Sequence, residues 1–245
     1  MITGLKAALA AAMMTLAMTT AAAAQQATDR TAVEDIVRDY LLANPEIIVE
    51  AMAILRERER VAEQTRIRTS IVDNYDALAK SPDDPVEGDP DGDVVIVEFF
   101  DYRCPYCKRV LEPLMKAVEE DGNIRLVFKE YPILGPESVI AARAALASRK
   151  QDKYMEFHTA LMTVDGPLNE ASILKIAVSV GLDAERLTKD MADPEIEQKI
   201  AANYGLANAL GIKGTPAFVI GRELVPGAIT MREMKRYVAQ ARGES

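Results

Sequence analysis

The run Val94-Val95-Ile96-Val97, continued by Phe99-Phe100, constrains the fold more than any other stretch of the chain. β-Branched and aromatic residues in nearly unbroken succession predict a strand covered on both faces. Pro105 to about Glu120 follows with helical spacing, and Ile124 to Phe128 repeats the apolar run. Two buried strands joined through one helix pair in parallel, because a tight turn cannot return the chain in the same direction. The fold class is therefore α/β.

The pattern extends this nucleus on both sides. Helical spacing covers Glu137 to Ser148, Lys153 to Met162, Ser172 to Val180, Ala184 to Met191 and Glu195 to Leu210, a helical insertion at about 136–210. Asp193 before Pro194 supplies an N-cap with proline at the first helical position, and Gly211 a stop. Ala217 to Ile220 and Glu223 to Val225 flank Gly221-Arg222 as an antiparallel hairpin, and Thr230 with Glu233 opens a last helix to about Ala241. Upstream, Thr31 to Ala43, with Thr31 and Glu34 at capping-box spacing, and Glu46 to about Lys80 read as two helices broken at Pro45. The second carries Ile48, Met52, Leu55, Ile67, Ile71, Tyr75 and Leu78 at spacings of three and four, around a solvated charged run, Arg56 to Arg60. A helix of about 35 residues would be about 50 Å long, longer than a small domain is wide, so part of its apolar stripe is expected to meet another subunit. Ser81 to Asp93, rich in Pro, Gly and Asp, reads as a linker.

The first residues follow a different logic. Lys6 is the only charged residue before Asp29 and precedes the apolar stretch Ala7 to Ala17, and Ala21 to Ala24 supply small residues for cleavage. That order predicts a secretory signal peptide over residues 1–24; a membrane anchor is the other reading, which so short a stretch fits less well. The expected division is then 1–24 leader, 25–80 N-terminal helical oligomerisation segment, 81–92 linker and 93–245 catalytic domain. Loss of Lys6 takes the formal charge from −9 to −10. An acidic surface without a basic stripe argues against a nucleic-acid partner.

Export places the chain where disulfides persist, yet Cys104 and Cys107 are its only cysteines. A bridge across so small a loop stabilises little, so the pair is expected to react rather than to staple. Cys104 follows a buried strand and precedes a helix opening on Pro105, which puts its sulfur beside unsatisfied amides and the positive end of the helix dipole. Cys104 is thus expected to be the more exposed, lower-pKa thiol that exchanges with a substrate cysteine, and Cys107, one turn inside, to resolve the mixed disulfide. Half a zinc site is the alternative for a C-x-x-C. A structural zinc needs four ligands, and this chain offers two cysteines and the single histidine His158, which leaves a metal shared between subunits as the minor reading and no resident cofactor. His158 itself reads as a surface or packing residue of its helix, and Tyr131-Pro132 as turn chemistry.

The run Val97-Glu98-Phe99-Phe100-Asp101-Tyr102-Arg103-Cys104-Pro105-Tyr106-Cys107, with Gly214-Thr215-Pro216-Ala217-Phe218 downstream, resembles the DsbA-like family of bacterial periplasmic thioredoxin-fold proteins. The likeness covers about Asp93 to Gln240, and Tyr40-Leu41-Leu42-Ala43-Asn44-Pro45-Glu46 is similar to the N-terminal region of the ScsC-type branch. It implies a thioredoxin fold with an inserted helical domain and an N-terminal helical stalk, and a cis peptide at Thr215-Pro216 that packs on the disulfide and binds the substrate strand. Members of the ScsC-type branch can trimerise through the N-terminal region and act as disulfide isomerases. Threonine before the proline resembles the isomerase and reductase branches. Tyr106 replaces the histidine of the archetypal oxidase, so a moderately depressed pKa and a less oxidising couple are expected. Glu98 resembles the family's buried acid that tunes the resolving cysteine and relays its proton, with Lys129 as its expected partner; an exposed-edge position for Glu98 is the competing reading.

Three functions follow from these residues. The first is a periplasmic thiol-disulfide oxidoreductase acting on exported proteins as an isomerase or reductase, working as a homo-oligomer through residues 31–80 with a membrane redox partner. The second is a dithiol oxidase that introduces disulfides. The third is a non-enzymatic metal-binding or holdase protein.

Overall fold

A computed structural model describes residues 30–243; the expected leader lies outside them. The chain divides after Ala62 into two compact units. No helix among the described residues is long and apolar enough to cross a membrane.

In the first unit, residues 30–43 form helix α1, and α2 (Glu46–Asp73) starts beyond the break at Asn44-Pro45. The Asn44 backbone N–H and its side-chain Nδ2 both donate to the Tyr40 carbonyl, at 2.9 Å each, which satisfies the last turn of α1. Arg30 is already helical, so Thr31 lies inside α1 and is not its cap. Arg56 to Arg60 is exposed throughout, as a solvated charged run should be.

The second unit is built on a five-stranded sheet in the order β1-β3-β2-β4-β5. Strand β2 (Val94–Phe100) pairs in parallel with β3 (Ile124–Glu130) across helix α4 (Pro105–Asp121), and antiparallel with β4 (Ala217–Ile220), which forms a hairpin with β5 (Glu223–Pro226). Between β3 and β4 lie α5 (Pro136–Ser148), α6 (Tyr154–Thr163), α7 (Glu170–Ser179), α8 (Ala184–Asp190) and α9 (Pro194–Leu210); α10 (Met231–Arg242) closes the chain. The N-caps Asp193 and Thr230 act as their sequence predicts, Asp193 accepting from Glu195 N and Thr230 forming a complete capping box with Glu233.

Alternation along β2 decides the layers. Ile96, Glu98 and Phe100 face the side carrying α4, α6 and α10; Val97 and Phe99 face the other, where Tyr131, Leu206 and Leu210 pack. Ile71 of α2 and Leu78 of helix α3 (Tyr75–Ala79) are buried in that second layer. Two sequence expectations change here. Residues 63–79 belong to the packed unit rather than to a stalk, because their apolar face covers the open side of the sheet. The Ser81–Asp93 linker also holds β1 (Val86–Gly88), which pairs antiparallel with β3; three residues are too short for periodicity to reveal, and edge pairing supplies what propensity does not.

Candidate active site

The turn between β2 and α4 delivers both cysteines to the helix N-terminus, and Asp101 holds that turn in shape. Its Oδ1 accepts from Arg103 N at 2.7 Å and Ser138 Oγ at 2.8 Å, its Oδ2 from Leu134 N at 2.9 Å, and its carbonyl from Cys104 N at 3.0 Å. Cys104 is the extended N-cap of α4 (φ −76°, ψ 115°) with Pro105 at the first helical position. The amides that a helix start leaves without carbonyl partners therefore surround its sulfur.

The two thiols are driven apart electrostatically. The hydrogen bond from the Cys107 thiol, then Thr215 and the backbone amides of Cys107 and Tyr106, hold Cys104 down at about 5 against the opposing effect of burial. Burial first, then the bond to Cys104 and the nearby Glu98 carboxyl, pushes Cys107 far up. Near neutral pH one sulfur is an anion and its mate a thiol. The helix start and Cys107 lower Cys104 whatever side chain stands at position 106. Tyr106 is 55% exposed, with the Arg109 guanidinium 4.4 Å from its ring centroid.

Cys104 is more covered than expected, at 4% relative exposure against 0% for Cys107. The reason is the loop before β4, where the Thr215 carbonyl oxygen lies 3.2 Å from Cys104 Sγ and accepts from it only while the thiol is protonated. The Thr215-Pro216 peptide is cis, and the Pro216 carbonyl accepts from Gly227 N at 2.8 Å. Thr215 thus meets Cys104 from 111 positions downstream.

Glu98 lies opposite Phe128 on one neighbouring strand and Phe218 on the other, and is 1% exposed, so it does not sit at an edge. Burial, reinforced by the negative charge of Cys104, raises its carboxyl to about 8. Lys129 is not its partner. One residue beyond Phe128, it sits opposite Phe99 and points to the other face, where its ammonium binds the Asp84 carboxylate and donates to the Ala77 carbonyl at 2.7 Å. Burial holds that amine at about 8 despite Asp84. Strand alternation by itself could not have excluded the pairing, since register decides which of Phe128 and Lys129 shares the face of Glu98.

His158 is fully buried, not on a helix surface, and joins Tyr102, Glu130 and Tyr154 in a polar cluster. No local signal marks these four, because the contacts join the β2–α4 turn, the end of β3 and α6. Asp101 does carry one: an aspartate after a strand is a turn former through its own backbone. Among the described residues no group of three or more His, Cys, Asp or Glu is placed to hold a metal ion.

Comparison with known proteins matches residues 95–239 to the DSBA-like thioredoxin domain and residues 29–62 to the copper resistance protein ScsC N-terminal domain. A thioredoxin-like oxidoreductase from Silicibacter pomeroyi is 49% identical, with a TM-score of 0.69 over 70% of this chain and 99% of its own. ScsC of Proteus mirabilis in a transitional conformation is 32% identical, with a TM-score of 0.67 over 89% of this chain and 99% of its own. A curated relative, the Na(+)/H(+) antiporter NhaA 1 of Salinispora arenicola, is 29% identical over 160 residues, 64% of this chain, and the chain spans only 24% of that relative's length. Buried strand, cysteine pair at a helix start, cis-proline loop and inserted helices together make this chain a member of the DsbA-like thioredoxin-domain family of thiol-disulfide oxidoreductases, with an ScsC-type N-terminal region.

Proposed function

We propose that this chain is an exported, periplasmic thiol-disulfide oxidoreductase that rearranges or reduces wrong disulfides in other exported proteins through Cys104 and Cys107. The observation that carries the reading is the split between the cysteines: Cys104 at about 5 beside a protonated, deeply buried Cys107. The Cys104 thiolate attacks one sulfur of a substrate disulfide, forms a mixed disulfide and expels the other sulfur as a thiolate. Either that thiolate attacks another disulfide of the substrate and the sulfur it expels displaces Cys104 from the mixed disulfide, which is isomerisation, or Cys107 attacks Cys104, closes the Cys104–Cys107 bridge and leaves the substrate reduced. Cys107 must lose a proton to do so. Glu98 relays it: burial raises its carboxyl and the Cys104 charge adds to that, so loss of this charge in the mixed disulfide lets the carboxyl release its own proton to solvent before it takes the one from Cys107. Thr215 and Pro216 line the substrate's approach to Cys104, and Pro105 and Tyr106 shape the first turn.

Apolar residues exposed on α1 and the start of α2, among them Val33, Ile36, Tyr40 and Met52, support assembly into a homo-oligomer through residues 31–62, which would present several Cys104 sites to one substrate. A membrane redox partner would keep the pair reduced. One observation favours a second reading, a dithiol oxidase: so stable a thiolate stabilises the reduced protein and makes its disulfide a stronger oxidant. Recovery of activity from scrambled ribonuclease, compared with oxidation of reduced ribonuclease, separates the two. Faster recovery from the scrambled form is expected, and efficient oxidation alone would decide for the oxidase.

A further inference from the structure

The exchange steps leave the polar cluster behind Cys104 unused. Tyr102, two residues before Cys104, is buried; its hydroxyl lies 3.0 Å from Glu130 Oε1 and 2.9 Å from His158 Nδ1. The Tyr154 hydroxyl lies 2.9 Å from the same Oε1. His158 packs against Phe100 and Phe128, with ring centroids 4.9 and 4.8 Å away, and stacks on Tyr154. Glu130 Oε2 and His158 Nε2 are buried without a hydrogen-bond partner.

We propose that Tyr102, Glu130, His158 and Tyr154 are positioning residues for Cys104: an uncharged, hydrogen-bonded cluster that fixes the Asp101–Cys104 turn through its side chains, with the Glu130 proton retained. The assignment rests on the reading of Cys104 as the exchanging thiol. Proton accounting supports the neutral form. With Glu130 protonated, its hydroxyl donates to Tyr102, Tyr102 to His158 Nδ1 and Tyr154 to Glu130, so all three contacts are satisfied and no charge is buried. With Glu130 ionised, both tyrosines donate to it and His158 Nδ1–H donates to Tyr102; the contacts survive, but a carboxylate oxygen is left bare among aromatic rings. The titratable groups facing Glu130 are Asp101, Tyr102 and Glu98 from β2 and its turn and Tyr154 and His158 from α6, none of them a lysine or arginine. Asn203 of α9 donates to its backbone carbonyl at 3.0 Å, and Lys129, next along β3, points to the opposite face. Burial accordingly raises the Glu130 carboxyl well above the ordinary range and lowers His158 to about 3.

The test is the pH profile of Cys104 alkylation by iodoacetamide in the reduced full chain, with the glutathione equilibrium as a second readout. Tyr102→Phe keeps the ring and removes the hydroxyl that joins Glu130 to His158. A loosened turn aligns the helix amides less well, so the midpoint should rise by about half a unit, which is about threefold slower alkylation at pH 4. Glu130→Gln cannot ionise; its amide oxygen in the place of Oε1 accepts from both tyrosines while His158 takes the Nδ1–H tautomer, so the three contacts survive without charge and its profile should coincide with that of the unmodified chain. A Tyr102→Phe profile that does not move, even with lowered melting temperature, would reduce the cluster to packing and overturn the assignment. A Glu130→Gln profile that moves would show an ionised Glu130 and overturn it equally. An unmodified chain whose Cys104 titrates near 9 would sink the exchange reading itself, and is told apart because no substitution is involved.

Discussion

In residues 30–62 the apolar side chains stand in the open, with Ile36 67% and Leu42 70% exposed, whereas beyond Ala62 Phe99, Phe100 and Phe128 have no exposed surface. Both regions carry apolar side chains. They differ in whether the same chain supplies a complementary surface. The sheet is covered on both faces by helices from its own sequence; α1 and the start of α2 carry stripes that the described residues leave uncovered. Chemistry and cover are therefore housed in one unit, and an exposed apolar surface in the other.

The largest expected effect would confine chemistry to the packed unit. Cys104→Ser should abolish disulfide exchange while leaving the mass by light scattering unchanged; a change in mass would break the separation. Conversely, under the proposed assembly through residues 31–62, the full chain should run as an oligomer by light scattering and a chain starting at Glu63 as a monomer with the same glutathione equilibrium. An unchanged mass would discredit the helical segment as the assembly surface. Phe100→Ala sharpens the contrast in stability, since emptying a covered aromatic site should cost about 3 to 5 kcal/mol by urea unfolding. Leu42→Ala in a dilute, unassociated chain should change it by less than about 0.5 kcal/mol.

A further effect concerns pH. Unfolded, Glu98 has an ordinary carboxyl near 4.5; folded, burial and Cys104 lift it to about 8. The folded chain then holds a proton that the unfolded chain has released. This contribution to stability is complete below pH 4.5 and lost as pH rises through 8, on the order of a few kcal/mol. Glu98→Gln should flatten the decline over that window, and an equally steep slope in the variant would mean that Glu98 is ionised in the folded state.

Much of the site is legible in the amino-acid sequence alone. The apolar run of β2, the proline after Cys104 and the three-residue spacing to Cys107 are local, and local patterns dictate a strand, a helix start and one turn of separation. The position of Lys129 is not legible in this way, because two adjacent residues of a strand face opposite ways and composition does not say which one shares the side of Glu98. Nor is the burial of His158, whose cluster draws on a turn, a strand end and a helix, with Tyr102 lying 28 positions from Glu130 and 56 from His158. The covering of Cys104 is hidden for the same reason, since Thr215 closes over it from 111 positions away.

By itself, the sequence determined the order of strands and helices from β2 onward, the place of the thiols and the polarity of the dipole acting on them, because each follows from neighbours along the chain. Tertiary structure alone decided which residues are covered, and hence that Cys104 is nearly enclosed, that the Glu98 and Glu130 carboxyls are raised, and that residues 63–79 serve the core. Burial is set by distant parts of the chain meeting in space. It is burial that converts an ordinary carboxyl or thiol into a tuned one.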